Sequence, residues 1–163
     1  MHTVTKQMEI TVHTPNEPAS LGRLMAIVGC CGTEVLTACS YRDEAGTVTL
    51  LVTDNAPHAT RDLEASGFRC KSAPIVLVQT PDKPGLAALL GAKLAEAGIG
   101  VLCSYWFHSE GKQSYVVFKT TDDDRAIYML EVDALIHDFA AAQSWRQSEI
   151  ESGRREAAVK QTA

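Results

Sequence analysis

Apolar and polar positions alternate in short bursts along this chain, and each burst is followed by a stretch with helical spacing. The β-branched runs "EITVH" at 9–13 and "IVLVQ" at 75–79 predict strands. After each comes a proline-punctuated turn, "TPNEPA" and "TPDKPG". Beyond the first turn, Leu21, Leu24, Met25 and Val28 fall at i, i+3, i+4 and i+7 and share one helical face. Beyond the second, Ala87, Leu90, Gly91 and Leu94 take the same places, reinforced by Leu86 and Leu89. Gly32 and Gly98 follow as stop residues.

Next come "VLTACSY" and "VLCSYWF", both strand-like, then the polar hairpin turns "RDEAG" and "HSEGK", then the return strands "TVTLLV" and "SYVVFK". Asp and Asn residues ahead of "APHATRDLEASG" and "RAIYMLEV" are placed to cap a second helix in each half. A displacement of 66 positions aligns 12–52 with 78–118 without a gap and makes ten positions identical, Pro15/Pro81, Pro18/Pro84, Leu24/Leu90 and Gly32/Gly98 among them. One extra residue brings Ala59 onto Ala126 and Leu63 onto Leu130. The first half ends on a further strand, "FRCKSAP", which passes through Pro74 directly into the second half.

The order is β-α-β-β-α-β in the first half, and the second half repeats it as far as its second helix, with no clear fourth strand. It predicts an α+β protein of two ferredoxin-like units, antiparallel sheets with both helices on one face. The units span residues 7–74 and 75–135, and a C-terminal helical extension with a polar tail covers 136–163. The Ala-, Gln- and Glu-rich sequence after Asp123 predicts a long helix to about Ser152; a short strand at Leu135–Phe139 is the alternative. A unit of this size buries its sheet poorly alone, so side-by-side or back-to-back pairing of the halves is expected.

The turn "T-P-[DN]-x-P-[GA]" between first strand and first helix, and "LAEAGIGVLCSYWF" with its glycine-ended helix, resemble the ACT domain. The second half is the closer match; the first has Ala19 where the family usually has glycine. The resemblance covers about residues 7–135 and is nearest to short stand-alone proteins of two ACT units. It implies a non-enzymatic regulatory module that binds an amino acid or similar metabolite at the interface between units.

The turn suits such a ligand. A helix start offers unpaired amides and partial positive charge to a carboxylate. Gly85 permits close approach and Pro84 fixes the turn, while Asp82 or Asn16 can accept from an ammonium. One candidate lip is Pro81, Asp82, Lys83, Pro84, Gly85 and Leu86. The parallel lip is Asn16, Glu17, Pro18, Ala19 and Ser20, judged the weaker because Ala19 restricts the backbone. Ser40 on the first half's second strand, and Ser104 and Tyr105 on the second half's, are candidates for the other wall. Against binding stands plain capping by Asp82 and Asn16, and for Tyr105 and Trp106 plain packing.

The 163 residues carry a net charge of −5, with 21% charged and 45% hydrophobic side chains. That balance argues against a nucleic-acid backbone binder. No apolar run reaches the length of a membrane span, and the N-terminus lacks the order of a secretory signal. Five cysteines without a CxxC pair fit a reducing, cytoplasmic setting. The histidines show no metal-ligand spacing, and the acidic run Asp122–Asp124 is placed to cap a helix. No nucleophile or phosphate-loop motif occurs, so no cofactor, no metal and no catalysis are expected. The expected partners are an amino acid ligand and a second copy in a homodimer, with a metabolic enzyme as the other possible partner. In the alternative reading the chain is a ligand-independent interaction module or the regulatory subunit of such an enzyme.

Overall fold

Two long strands hold the molecule together. In the computed structural model, which describes residues 2–17, 19–81, 85–108 and 113–131, β1 (Thr3–Thr14) and β4 (Arg69–Pro81) lie antiparallel, with Met8 opposite Pro74 at the centre. Each strand serves both halves. The C-terminal part of β1 pairs with β3 (Thr47–Thr53), and β3 with β2 (Val35–Arg42). The C-terminal part of β4 pairs with β6 (Gln113–Thr120), and β6 with β5 (Val101–His108). One six-stranded sheet results, in the order β2-β3-β1-β4-β6-β5. The α+β, ferredoxin-like expectation stands, but two separate sheets do not form because their inner strands are shared.

The first strand is longer than the expected 9–13. Its early part, Thr3–Gln7, pairs with Ile75–Gln79 and is the fourth strand of the second half. No such strand is needed after α4 (Asp123–Glu131); the expected continuation of that helix, and the alternative strand at 135–139, lie outside the described residues. Pro74, which lacks an N–H, falls just before β6 begins pairing at Val76, the position a sheet tolerates best.

The 66-residue displacement carries β1 onto β4, α1 (Ser20–Cys30) onto α3 (Leu86–Glu96) and β2 onto β5. Past the hairpins it becomes 67. Arg42 pairs with Thr47, but His108 pairs with Ser114, so the extra residue lies in the second hairpin rather than ahead of the second helix. Leu51 therefore corresponds to Phe118, and both face the helices.

Among the described residues, four helices pack on one face of the sheet. Leu24 and Val28 of α1 and Ala59 and Leu63 of α2 (Ala56–Ala65) bury against Ile10, Val12 and Leu51. Leu89, Leu90 and Leu94 of α3 and Ala126 and Leu130 of α4 bury against Val76, Val78, Val116 and Phe118. Leu21, placed on the apolar face by its spacing, sits at the rim and is exposed. Asn55 and Asp122 cap the second helices, accepting from His58 N at 3.2 Å and Arg125 N at 3.1 Å. The acidic run is structural throughout: Asp123 accepts from the Thr120 hydroxyl at 2.7 Å, and Asp124 pairs with Lys6 at 2.8 Å.

The helix-free face is curled on itself. Tyr105 on the edge strand β5 donates to Glu9 on β1, three strands away, at 3.0 Å. In a flat sheet those strands would stand about 14 Å apart. The opposite edges β2 and β5 approach within 8 Å between Cα atoms. Between them Val52, Ile75, Leu77 and Val117 form a third apolar cluster with Leu36, Tyr105 and Tyr115 packed against it. The halves are thus packed back to back through their helix-free faces. Glu9, 1% exposed, also accepts from Lys119 at 3.3 Å. Burial and the neighbouring carboxylate push the Tyr105 hydroxyl far above its ordinary pKa, so it stays protonated and donates to Glu9.

Candidate functional site at the first turn

β1 ends at Thr14 and the chain folds tightly before α1: Glu17 N donates to Pro15 O at 2.7 Å, and Ser20 N to Glu17 O at 3.0 Å. Ala19 is the N-cap residue, at φ −84°, and no side chain caps the helix. Asn16 is exposed and does not cap, so the bland role weighed for it is not the one it plays. The mouth of α1 opens on a cleft of about 320 Å³, walled by the turn (Pro15, Glu17, Ala19, Ser20), by Arg23, and by the α2–β4 loop Ser66–Arg69. This is the low end of ligand-pocket volumes. A second, wider hollow of about 720 Å³ adjoins it, and the two share His13, Thr14, Pro15, Phe68 and Arg69.

The hairpin tip at Gly46 closes the far side of that hollow. Its φ of 152° favours glycine, and a Cβ there would fall on the carbonyl oxygen of Thr14. Cys70 also lines it; burial and then Glu64 push its thiol up, which leaves it protonated and a poor nucleophile.

The cleft is basic on one wall. Arg23 lies over the Phe68 ring at 5.4 Å and donates to Ser66 O at 3.1 Å, which fixes the guanidinium along the opening. Arg69 stands directly across the ladder from His13 and has no hydrogen bond or ion pair among the described residues. Glu17 is the acid on the turn itself.

Of the candidate residues, Glu17, Ala19 and Ser20 line this cleft, and Asn16 sits beside them. Pro18, Asp82, Lys83 and Pro84 lie outside the described residues. At the second turn Pro81 closes β4, and Gly85 is the N-cap of α3 at φ 85°, a left-handed conformation that suits glycine, with no side-chain cap among the described residues. The Leu86 side chain is buried in the core, so only its main chain can face a ligand. Ser40 is exposed and bonds Thr49 at 3.0 Å, and Ser104 is exposed on the helix side of β5. Neither they nor Tyr105, which is held on the helix-free face by Glu9, line the cleft.

His13, Arg23 and the loop Ser66–Arg69 were not among the candidates. The repeat held one signal for them: Arg23 occupies the helical position that Leu89, a core residue, fills in the other half.

No protein-family model matches the sequence, and no curated protein matches it either. Solved structures do. The protein BT0572 from Bacteroides thetaiotaomicron superposes with a TM-score of 0.65 at 21% identity, covering 80% of this chain and 88% of that one. The ligand-free regulatory subunit of aspartate kinase from Thermus thermophilus gives 0.57 at 14% identity, over 79% and 93%. The regulatory subunit of aspartate kinase from Thermus flavus gives 0.58 at 17%, over 79% and 94%. At these identities the likeness is one of fold: the chain shares the antiparallel α+β, ferredoxin-like architecture of these structures.

Proposed function

We propose that this chain is a cytoplasmic, non-enzymatic regulatory protein, built of two ACT-like units in tandem, which binds an amino acid in the first-turn cleft. The tandem reading is supported by elements that recur at a displacement of 66 to 67 residues; the bounds we propose for the two units are 7–74 and 75–135. Five free cysteines favour a reducing compartment. The observation that carries the ligand reading is the cleft itself, at the mouth of a helix that no side chain caps. First-turn amides of α1 take the α-carboxylate. Glu17 accepts from the ammonium. The similar regulatory subunits support a signalling role for occupancy, in which a ligand shifts packing between copies or onto an enzyme by its differential affinity for the two arrangements. A homodimer is the arrangement we favour.

Thermal melting of the full chain against the twenty amino acids tests this. A ligand at 100 times its Kd adds about 2.7 kcal/mol. If none raises the melting point, the sensor reading falls. If one does, Glu17→Gln should abolish the rise while Asp82→Ala keeps it; the reverse pattern moves the ligand to the second turn.

The ligand-independent reading also has an observation in its favour. The edge strand β5 carries no acid or lysine and exposes Val101, Leu102, Trp106 and Phe107, the kind of edge that assembly covers.

A further inference from the structure

Once the α1 amides and Glu17 are assigned to the two backbone groups of an amino acid, the basic wall of the cleft is left over. Arg23 uses one donor on Ser66 O and is held in plane by Phe68, so further N–H groups of its fork remain for a ligand. Arg69, opposite His13 on the ladder, lines both hollows and has no hydrogen bond or ion pair among the described residues. A neutral or cationic ligand side chain would leave this wall idle or repelled. An anionic one would meet bidentate, charge-assisted donors.

The counterpart positions sharpen the point. Thr3 and Gln79 face each other where Arg69 and His13 do, and buried Leu89 replaces Arg23. The charge is therefore no requirement of the fold, which is built without it in the other half.

Resting on the amino acid reading above, we infer that the ligand of this cleft carries a second anionic group on its side chain, held by Arg69 and Arg23 with His13 beside them. The second group is a carboxylate or a phosphoryl group, and the adjoining hollow gives it room.

Calorimetry on the full chain with L-aspartate, L-glutamate and O-phospho-L-serine, set against L-asparagine, L-glutamine and L-serine, decides it. The expected result is at least about ten-fold tighter binding of an acidic ligand than of its uncharged counterpart, with a preference that weakens in added salt. Arg69→Gln, at an exposed position, should keep the unliganded melting point and cut that preference several-fold. Binding of aspartate or glutamate without phosphoserine assigns a carboxylate; the reverse assigns a phosphoryl group. Equal or tighter binding of the uncharged set overturns the inference and leaves the amino acid reading standing. Silence from the acidic set and all twenty amino acids removes both.

Discussion

The mouth of α1 and the mouth of α3 are the same piece of architecture with different chemistry around it. Beneath them the two halves agree position by position: Leu24 and Leu90, Val28 and Leu94, Leu63 and Leu130, and Ile10 and Val76 are all fully buried. At the rim they part. Arg23, His13 and Arg69 line the first cleft, and the equivalent positions of the other half hold Leu89, Gln79 and Thr3. The helix-free faces differ likewise: Glu9, with its Tyr105 and Lys119 partners, corresponds to Ile75, set among Val52 and Leu77. A fold needs its apolar positions in both copies but is indifferent to what lies outside them. Divergence between equivalent positions therefore marks the residues that stability alone does not explain.

The largest effect should come from breaking what the halves have in common. Leu24→Ala and Leu90→Ala each remove a fully buried side chain and should cost about 2–5 kcal/mol. Because β1 and β4 run through both halves, either substitution should shift a single unfolding transition in denaturant, followed by circular dichroism. A biphasic curve for Leu24→Ala, with one phase left at the original midpoint, would show that the shared strands do not couple the halves.

The shared interior was legible in the sequence because it is written in period: Leu24 and Val28, Leu90 and Leu94, and the paired stop glycines announce helices wherever they sit. The early part of β1 was not, since Thr3–Gln7 offers one apolar residue, Val4, and its strand character depends on pairing with the distant segment Ile75–Gln79. The misplaced extra residue has a similar cause. Letters align without a gap through the hairpin, and only the register of Arg42 with Thr47 and of His108 with Ser114 shows where the insertion falls. For the site, Ala19 and Gly85 were weighed by backbone freedom alone. What opens the first cleft is the return of Ser66–Arg69 beside the turn, a long-range placement no local pattern carries.

A middle-sized effect belongs to the helix-free face. Tyr105→Phe removes the bond to the buried Glu9 carboxylate and should cost about 2 kcal/mol near neutral pH. Lys119 has a side chain 35% exposed, and Lys119→Met should cost less than about 1 kcal/mol. The tyrosine also has a pH signature. Its folded pKa is raised, first by burial and then by Glu9, so its stabilising share is complete below about pH 10 and is lost as pH climbs above that. The wild-type chain should lose stability above about pH 10 more steeply than Tyr105→Phe does, in denaturation curves measured from pH 8 to 11. Identical slopes would mean the hydroxyl titrates freely and the curled sheet is not held there.

The smallest effect tests the rim itself. Arg23→Leu gives α1 the residue that α3 carries at the equivalent place, but at a position where the guanidinium is exposed and no core cavity waits to be filled. Lost are one hydrogen bond to Ser66 O at the surface and the stacking on Phe68. Together these should amount to less than about 1 kcal/mol. The melting point should therefore barely move, while the thermal shift given by an acidic ligand should shrink. A large fall in stability would make Arg23 a structural strut between α1 and the α2–β4 loop. The first cleft would then differ from the second by packing, and its charge would need no ligand to account for it.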